Sequence, residues 1–545
     1  MPEWTGQDQL TNCADEPVSG KSKPAMTGKR DLFLLILIVG FAGLIRFIGI
    51  GQQSIWVDEA FSIKYAQIFG QLTPEYILDN LHGPLHAIIL HVWAKIFGHG
   101  EGALRFPSLL ISLATIPCFW LMARYRWGAA VAWTGTILLA LSPFHIWYAQ
   151  EARNYAFLIF FAVVCDHALA RLQAEGGRPK LFIAYGAALL LGFLSNLAMI
   201  FILIPHGLGI LGLRRTASES AVTKRGRWHL PVRVILTWAV VAACLSPWIV
   251  GFYKNRLVES RLDQQKPTEQ QMVLRDDAAA SPMIFPYTFY VFTGGYSLGP
   301  ARREISLLGP WEALRRYMAL VCVVGVIIAS MWIGGLTAAW RRNRKWAIDL
   351  FLWQILPLVL LLLIAMNSIK VVNPRYVAIA FPAFIITLAF NCHWKRYGMV
   401  AIALVCLLFS ISTVRAYTLT RYHKSDHKAS AKHLQETVGP NDLVLAGGGY
   451  GPYRTYYLRD EWPLRGEERW ELFDFYPPKV GPFSECFNRY VLPIWQPGQK
   501  LHTVLVRSAD IDLISAELSE TARLVDEKRF LGVYIMVHER RSEDQ

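Results

Sequence analysis

Charge is scarce in this sequence. Asp, Glu, Lys and Arg make up only 18% of the 545 residues, against 53% hydrophobic and 13% aromatic, and the mean hydropathy is +0.29. Soluble domains carry about 25% charged residues, so an ordinary water-soluble enzyme is excluded. Cysteine is sparse as well: of eight, Cys118, Cys165, Cys244, Cys322, Cys392 and Cys406 lie in apolar runs, and Cys13 and Cys486 in the polar ends. No C-x-x-C pair and no Cys/His ligand spacing occurs, which excludes a disulfide framework or a structural zinc site. The first apolar run lacks a small-residue cleavage site after it, so it is read as a retained span, not a signal peptide. The glycine run "GGGYG" at 447–451 follows an expected strand but does not match the dinucleotide fingerprint, and is read as a tight turn or binding lip.

What remains is a chain of apolar runs near the ~20 residues that cross a bilayer. The expected fold is a multi-pass α-helical membrane protein with a small C-terminal α/β domain outside the membrane. Residues 1–30 form a disordered cytoplasmic tail. Residues 31–420 form the transmembrane domain, with about eleven spans, and its first outer loop, 51–105, carries interfacial helices. Residues 421–545 form the extracytoplasmic domain, with helices expected within 425–438 and 511–524 and strands within 443–446, 502–509 and 532–540. The net charge of +14 sits in basic pairs between apolar runs. This is how the positive-inside rule fixes orientation, so the charge implies contact with membrane lipids and no nucleic-acid partner. The N-terminus is placed in the cytoplasm and the C-terminus outside.

Once the spans are oriented, unusual residues collect at the outer face. "SIWVDEAFS" (54–62) puts Asp58 and Glu59 at the mouth of the first span. "SPFHIWYAQEARNYA" (142–156) sets Glu151 and Arg153 between Tyr148 and Tyr155. "NPRYVAIAFPAF" (373–384) opens a span with Arg375 and Tyr376 after a helix-stopping Asn-Pro, where a guanidinium and free amides can address a phosphate; Lys370 adds positive potential. His82 and His86 flank "GPL" and could contact a sugar, a phosphate or a metal. Arg46 near the outer end of the first span is read as snorkelling to headgroups. The aromatic, glycine-rich stretch 285–300 suits either a cover over a substrate or a packed interfacial loop.

Together with "HGPLHAIILHVWAKIFG" (82–98) and "LRFPSLL" (104–110), these motifs resemble the bacterial membrane glycosyltransferases related to protein O-mannosyltransferases and to the aminoarabinose transferase of lipid A. These are GT-C fold enzymes of the glycosyltransferase family 39 type. The resemblance covers nearly all of the membrane region, in order. It implies a polyprenyl-phosphate-linked sugar as donor, an acceptor lipid, glycan or protein, inversion at the anomeric carbon, and a place in the bacterial cytoplasmic membrane. It implies further that Asp58 is the general base, with Glu59 and Glu151 as further catalytic acids. Arg375, Arg153, Lys370 and Tyr376 would lie at the donor phosphate, and His82, His86 and Tyr148 would contact substrate. A divalent metal ion is a possible cofactor, with Glu151 and His82 as weak ligand candidates. Two departures stand out: Gly83 replaces a proline common in relatives, a change read as altering loop stiffness only, and the second-loop acid sits in "QEAR" in place of an Asp-x-Glu pair, which weakens a cation site.

The main rival is a transporter or flippase of polyprenyl-linked sugar or lipid. Such a protein calls for acids near the bilayer midplane and paired broken helices; Asp166 is the exception, and it lies towards the cytoplasmic end of its run. A non-catalytic scaffold leaves the acid and arginine cluster unexplained.

Overall fold

A computed structural model of the chain describes residues 28–69, 83–175, 178–210, 229–262, 282–301, 304–305, 308–366, 373–439, 441–447, 450–458, 487–506 and 509–541. His82, Lys370, the tail before residue 28 and the basic stretch 214–227 lie outside the described residues. In chain order the helices are α1 (Lys29–Phe47), α2 (Val57–Phe69), α3 (Pro84–Phe97), α4 (Glu101–Trp127), α5 (Ala129–Leu141), α6 (Pro143–Ala149), α7 (Tyr155–Ala174), α8 (Pro179–Ser195), α9 (Leu203–Leu208), α10 (His229–Leu262), α11 (Ile284–Gly294), α12 (Pro310–Arg316), α13 (Met318–Arg342), α14 (Arg344–Met366), α15 (Phe381–Ala389), α16 (Lys395–Thr418), α17 (His427–Thr437) and α18 (Ala509–Ser519).

Among the described residues six helical stretches are long and apolar enough to cross a membrane, or seven if the bent pair α5–α6 counts as one. The sixth, Pro374–Thr418, is interrupted at Lys395, whose φ is +49°, and the sequence reading divides it into two crossings. That reading also counts α1, the stretch 181–194 within α8 and the stretch 197–213 as spans, and leaves α3 as an interfacial segment. α3 has 14 residues, a rise of about 21 Å, short of a bilayer core.

Two buried arginines brace this helical mass. At the end opposite the acid cluster, Arg126 of α4 donates to Asp166 of α7 at 2.5 Å and to Asp349 of α14 at 2.5 Å. Asp166 is therefore part of a charge-paired tie between three helices. Near the other end Arg46 of α1 is completely buried, which corrects the snorkelling expectation. Its guanidinium donates to the carbonyls of Ala42 (3.1 Å), Ala140 (2.9 Å) and Leu139 (3.4 Å) and to Ser112 Oγ (3.0 Å), and meets His145 Nδ1 at 3.0 Å. Leu139 and Ala140 end α5, where Ser142 and Pro143 break the helix and α6 departs at 56°. A proline in the first turn of α6 suits a new start, and the guanidinium bonds the Ala140 carbonyl at the break and joins the Ser142 N–H on that of Leu139.

The C-terminal domain is a four-stranded sheet in the order β1 (Leu443–Gly447), β2 (Lys500–Leu505), β4 (Val533–Arg540), β3 (Ala522–Phe530); β1 and β2 are parallel and the other pairs antiparallel. Side chains alternate across it. Leu443, Leu501, Leu505 and Met536 pack with Ile514 and Leu518 of α18 on one face, while Val444, Val504, Ile535 and Val537 pack with Ala431 and Leu434 of α17 on the other. The helix expected over 511–524 stops at Ser519, and residues from Ala522 onward form β3 instead. Leu531 and Gly532 supply the two-residue turn into β4, with Gly532 at φ +69°, so hairpin pairing overrides the helical pattern.

Candidate active site

The stretch 50–59 is fastened by Arg105 of α4. Its guanidinium donates to the carbonyls of Ile50 (2.8 Å), Gln53 (2.8 Å) and Ser54 (3.0 Å), and grips both oxygens of Glu59, each at 2.8 Å. Glu59 also accepts the Ala152 N–H at 2.9 Å and stands 3.2 Å from Lys424 Nζ. It is fully buried. Burial alone would raise its carboxyl, but Arg105 and Lys424 hold it down to about 2. The expectation of Glu59 as a catalytic acid is thereby corrected: its oxygens are consumed in tying the loop to α4 and to the turn before α7.

Asp58, one position earlier, turns about 100° away around α2. Its Oδ2 accepts from Arg375 Nη1 at 2.5 Å and lies 3.9 Å from Arg153 Nη2, and the side chain keeps 22% exposure. Arg375 is set by Asn373, whose side chain accepts the Arg375 N–H at 3.1 Å and starts the helical turn Pro374–Ala380. Its guanidinium lies 5.9 Å from the Trp56 ring, 5.9 Å from Tyr155 and 5.2 Å from Tyr376, and contacts the Tyr376 hydroxyl at 3.4 Å. The Arg375 Nε is buried without a hydrogen-bond partner.

Of these residues Trp56, Asn373 and Arg375 border an open cavity. Trp56, Trp147, Tyr148, Tyr287 and Tyr296 form aromatic walls, and Glu151, Asn373 and Arg375 supply the polar groups. Tyr287 and Tyr296 belong to the stretch 285–300, and the Tyr148 and Tyr296 hydroxyls meet at 2.7 Å. Glu151 is buried, and neither carboxylate oxygen has a hydrogen-bond partner. Burial raises its carboxyl, Lys424 opposes this, and the neighbouring Glu59 and Asp58 reinforce it.

Other expected residues fall behind this front. Arg153 donates to the Asp58 carbonyl at 2.9 Å and to Ser62 Oγ at 3.3 Å, so it braces α2 from the rear. His86 does not line the cavity. It is buried edge-on against Phe157, and burial with nearby Arg153 lowers its imidazole to about 3, which keeps it neutral. Gly83 does more than loosen a loop: a Cβ there would lie 2.0 Å from the Leu194 carbonyl oxygen, so its missing side chain permits α3 to start against the end of α8. Of the two metal-ligand candidates, His82 lies outside the described residues. Among the described residues no group of three or more His, Cys, Asp or Glu is close enough to hold one, and Glu151 faces the Lys424 ammonium at 3.5 Å.

Two members of the cluster escape sequence reading. Arg105 sits in the quoted "LRFPSLL" but has nothing beside it in sequence to mark its partner. Lys424 lies beyond the last long helix, in a segment assigned to a separate domain. A cation placed just past a span end, on the side that the sequence reading puts outside and against the positive-inside trend, is the signal that could have singled it out.

The chain is similar to known proteins in part of its sequence and in its fold. The family model of dolichyl-phosphate-mannose-protein mannosyltransferases matches residues 81–250. The structure of ArnT from Cupriavidus metallidurans in the apo state aligns with a TM-score of 0.56 at 14% identity, covering 93% of this chain and 98% of that one. Two further matches are the S. cerevisiae protein O-mannosyltransferase Pmt1-Pmt2 complex, with TM-score 0.35, 19% identity, 42% of this chain and 34% of that one, and the oligosaccharyltransferase AglB from Archaeoglobus fulgidus, with TM-score 0.48, 11% identity, 88% of this chain and 70% of that one. No curated protein sequence matches. The fold, assigned on the first of these structures, is that of the GT-C membrane glycosyltransferases. The family model covers residues 81–250, under half of the chain, so over that stretch the chain is similar to those mannosyltransferases, and the shared fold is what the structural match establishes.

Proposed function

We propose that this protein transfers a sugar from a polyprenyl-phosphate carrier to an acceptor hydroxyl, with inversion, at the extracytoplasmic face of a bacterial cytoplasmic membrane. In this topology the N-terminus is cytoplasmic and the C-terminal domain lies outside. The observation that carries the reading is the Asp58–Arg375 pair at 2.5 Å beside an aromatic cavity. Inverting transfer needs a carboxylate for the proton of the attacking oxygen and a cation for the departing phosphate; Asp58 and Arg375 are those two groups once a donor phosphate takes the guanidinium from the carboxylate. The match to a dolichyl-phosphate-mannose-dependent family supports the carrier.

In the reaction an acceptor oxygen attacks the anomeric carbon and passes its proton to Asp58, while the bond from that carbon to the phosphate oxygen breaks and its electron pair leaves with polyprenyl phosphate. Arg375 holds the leaving phosphate, and its unpartnered Nε is one further donor for it. Glu151 is placed to accept a sugar hydroxyl. Aromatic walls exclude water, which would otherwise compete as acceptor.

Reconstituted protein incubated with a panel of radiolabelled lipid-linked sugars tests this. Label should leave the carrier for a hydroxyl-bearing acceptor with the wild type, and Arg375→Ala should bind polyprenyl phosphate about tenfold or more weakly, as expected for loss of a charge-assisted contact. No transfer from any carrier, or equal carrier affinity in the variant, overturns the assignment.

A further inference from the structure

The segment that leads from the last long helix into the C-terminal domain puts a cation into the site. Lys424 Nζ stands 3.2 Å from Glu59 Oε2 and 3.5 Å from Glu151 Oε1, and its side chain is 8% exposed. The Trp56 and Trp147 ring centres lie 5.7 and 5.8 Å from it. Its backbone N–H donates to Gln53 Oε1 at 3.3 Å. The residues around it are sewn to the same loop. Ser54 Oγ donates to Asp426 Oδ1 at 3.1 Å and accepts the Lys428 N–H at 3.2 Å, and the Tyr457 hydroxyl accepts the Ile55 N–H at 2.9 Å. The start of the C-terminal domain is therefore fixed to residues 53–55, immediately before Trp56 and Asp58.

Lys424 also borders a second cavity of about 260 Å³ with Gln53, Arg105, Trp147 and Gln150. Trp147 lines both cavities, and Lys424, which lines the second, reaches the first through Glu151 in its wall. A buried carboxylate such as Glu151, close to Asp58 and Glu59, is costly unless cations face it. Among the described residues four cations of this cluster, Arg105, Arg153, Arg375 and Lys424, meet three carboxylates. The surplus is one positive charge, the complement of a phosphodiester anion. Without Lys424 the surplus is gone.

We propose that docking of the C-terminal domain completes the active site: Lys424 is a positioning residue, delivered by the domain junction, that fixes the Glu151 carboxylate at the cavity wall and supplies the net positive charge an anionic lipid-phosphate donor meets. This rests on the donor class proposed above. It makes the domain part of the donor site, and any motion that lifts residues 424–428 from residues 53–55 would weaken donor binding.

The experiment uses the full chain in nanodiscs and reads polyprenyl phosphate binding directly, beside donor KM, acceptor KM and kcat. Lys424→Ala should raise the carrier Kd and the donor KM about tenfold or more and leave acceptor KM unchanged. Ethylammonium should restore binding where potassium at equal ionic strength does not, a rescue that a purely structural role would not show. Lys424→Arg should retain most affinity, and Lys424→Met, which keeps the stem against the tryptophans, should behave as Lys424→Ala if that variant folds poorly. Tyr457→Phe should weaken carrier binding in the wild type and have no further effect with Lys424 replaced. Wild-type carrier affinity in folded Lys424→Met, no rescue by the amine, or additive effects of the Tyr457 and Lys424 changes would overturn the inference. Wild type that binds carrier but transfers no sugar would overturn the proposed activity alone, because the Lys424 arms are read without turnover.

Discussion

Replacing Asp58 by Asn should move two measured quantities in opposite directions. The carboxylate at 2.5 Å from Arg375 Nη1 is both the proposed base and a competitor of the donor phosphate for the same guanidinium. Losing a general base lowers turnover about 10²- to 10⁴-fold, a barrier increase of about 3–5 kcal/mol. Losing the competitor frees Arg375. Two unit charges about 4 Å apart attract by about 4 kcal/mol at an effective dielectric constant of about 20. Asp58 keeps 22% exposure, water screens part of this, and the amide oxygen of Asn still accepts a hydrogen bond. A net gain of about 1–2 kcal/mol remains, so the variant should bind polyprenyl phosphate about 5–30-fold more tightly. Single-turnover transfer in nanodiscs, beside equilibrium binding of the carrier, measures both. A variant that turns over normally removes Asp58 as base. One that binds carrier more weakly than wild type shows that the carboxylate helps to hold the donor, and the competition argument fails.

Glu59→Gln leaves Arg105 and Lys424 without their shared buried counter-charge and should destabilise the fold by about 3–5 kcal/mol, seen as a lower melting temperature. The Glu59 carboxyl is held at about 2 in the fold, against about 4.3 in an unfolded chain. Its contribution is therefore fully present above the unfolded value and is lost as pH falls through the folded one. Wild type should lose about 3 kcal/mol over that window, and the Gln variant should lack this acid limb. Arg46→Met deprives the Ala140 carbonyl of its guanidinium donor at the broken end of α5, at about 1–3 kcal/mol for the unsatisfied group, while Leu139 keeps the Ser142 N–H. Melting temperature and kcat should fall together, because α6 carries Tyr148 and leads into Glu151; an unchanged melting temperature would show that water replaces the guanidinium.

Residue type alone carried part of this site into view. Apolar runs mark the membrane helices because a bilayer tolerates little else. Asp58 and Arg375 stand out because charge at a span end next to a helix break is costly without a use. The division of labour between Asp58 and Glu59 was not legible, because a one-position step around a helix decides which carboxylate meets Arg105 and which meets Arg375, and that is a tertiary fact. Arg105 and Lys424 were missed, and Arg46 misread, for a related reason. Each is recognised by its partners, and those partners are 46 or more residues away in sequence or are backbone carbonyls exposed by a helix break, which leave no compositional trace. β3 was missed because its strand identity comes from pairing with β4 on an exposed edge rather than from burial. The same logic explains why the adjacent acids stay distinct. A carboxylate gripped on both oxygens by a buried arginine cannot turn towards a substrate, so burial of Glu59 is what holds α2 still enough for its neighbour to keep one partly exposed carboxylate at the mouth of the cavity.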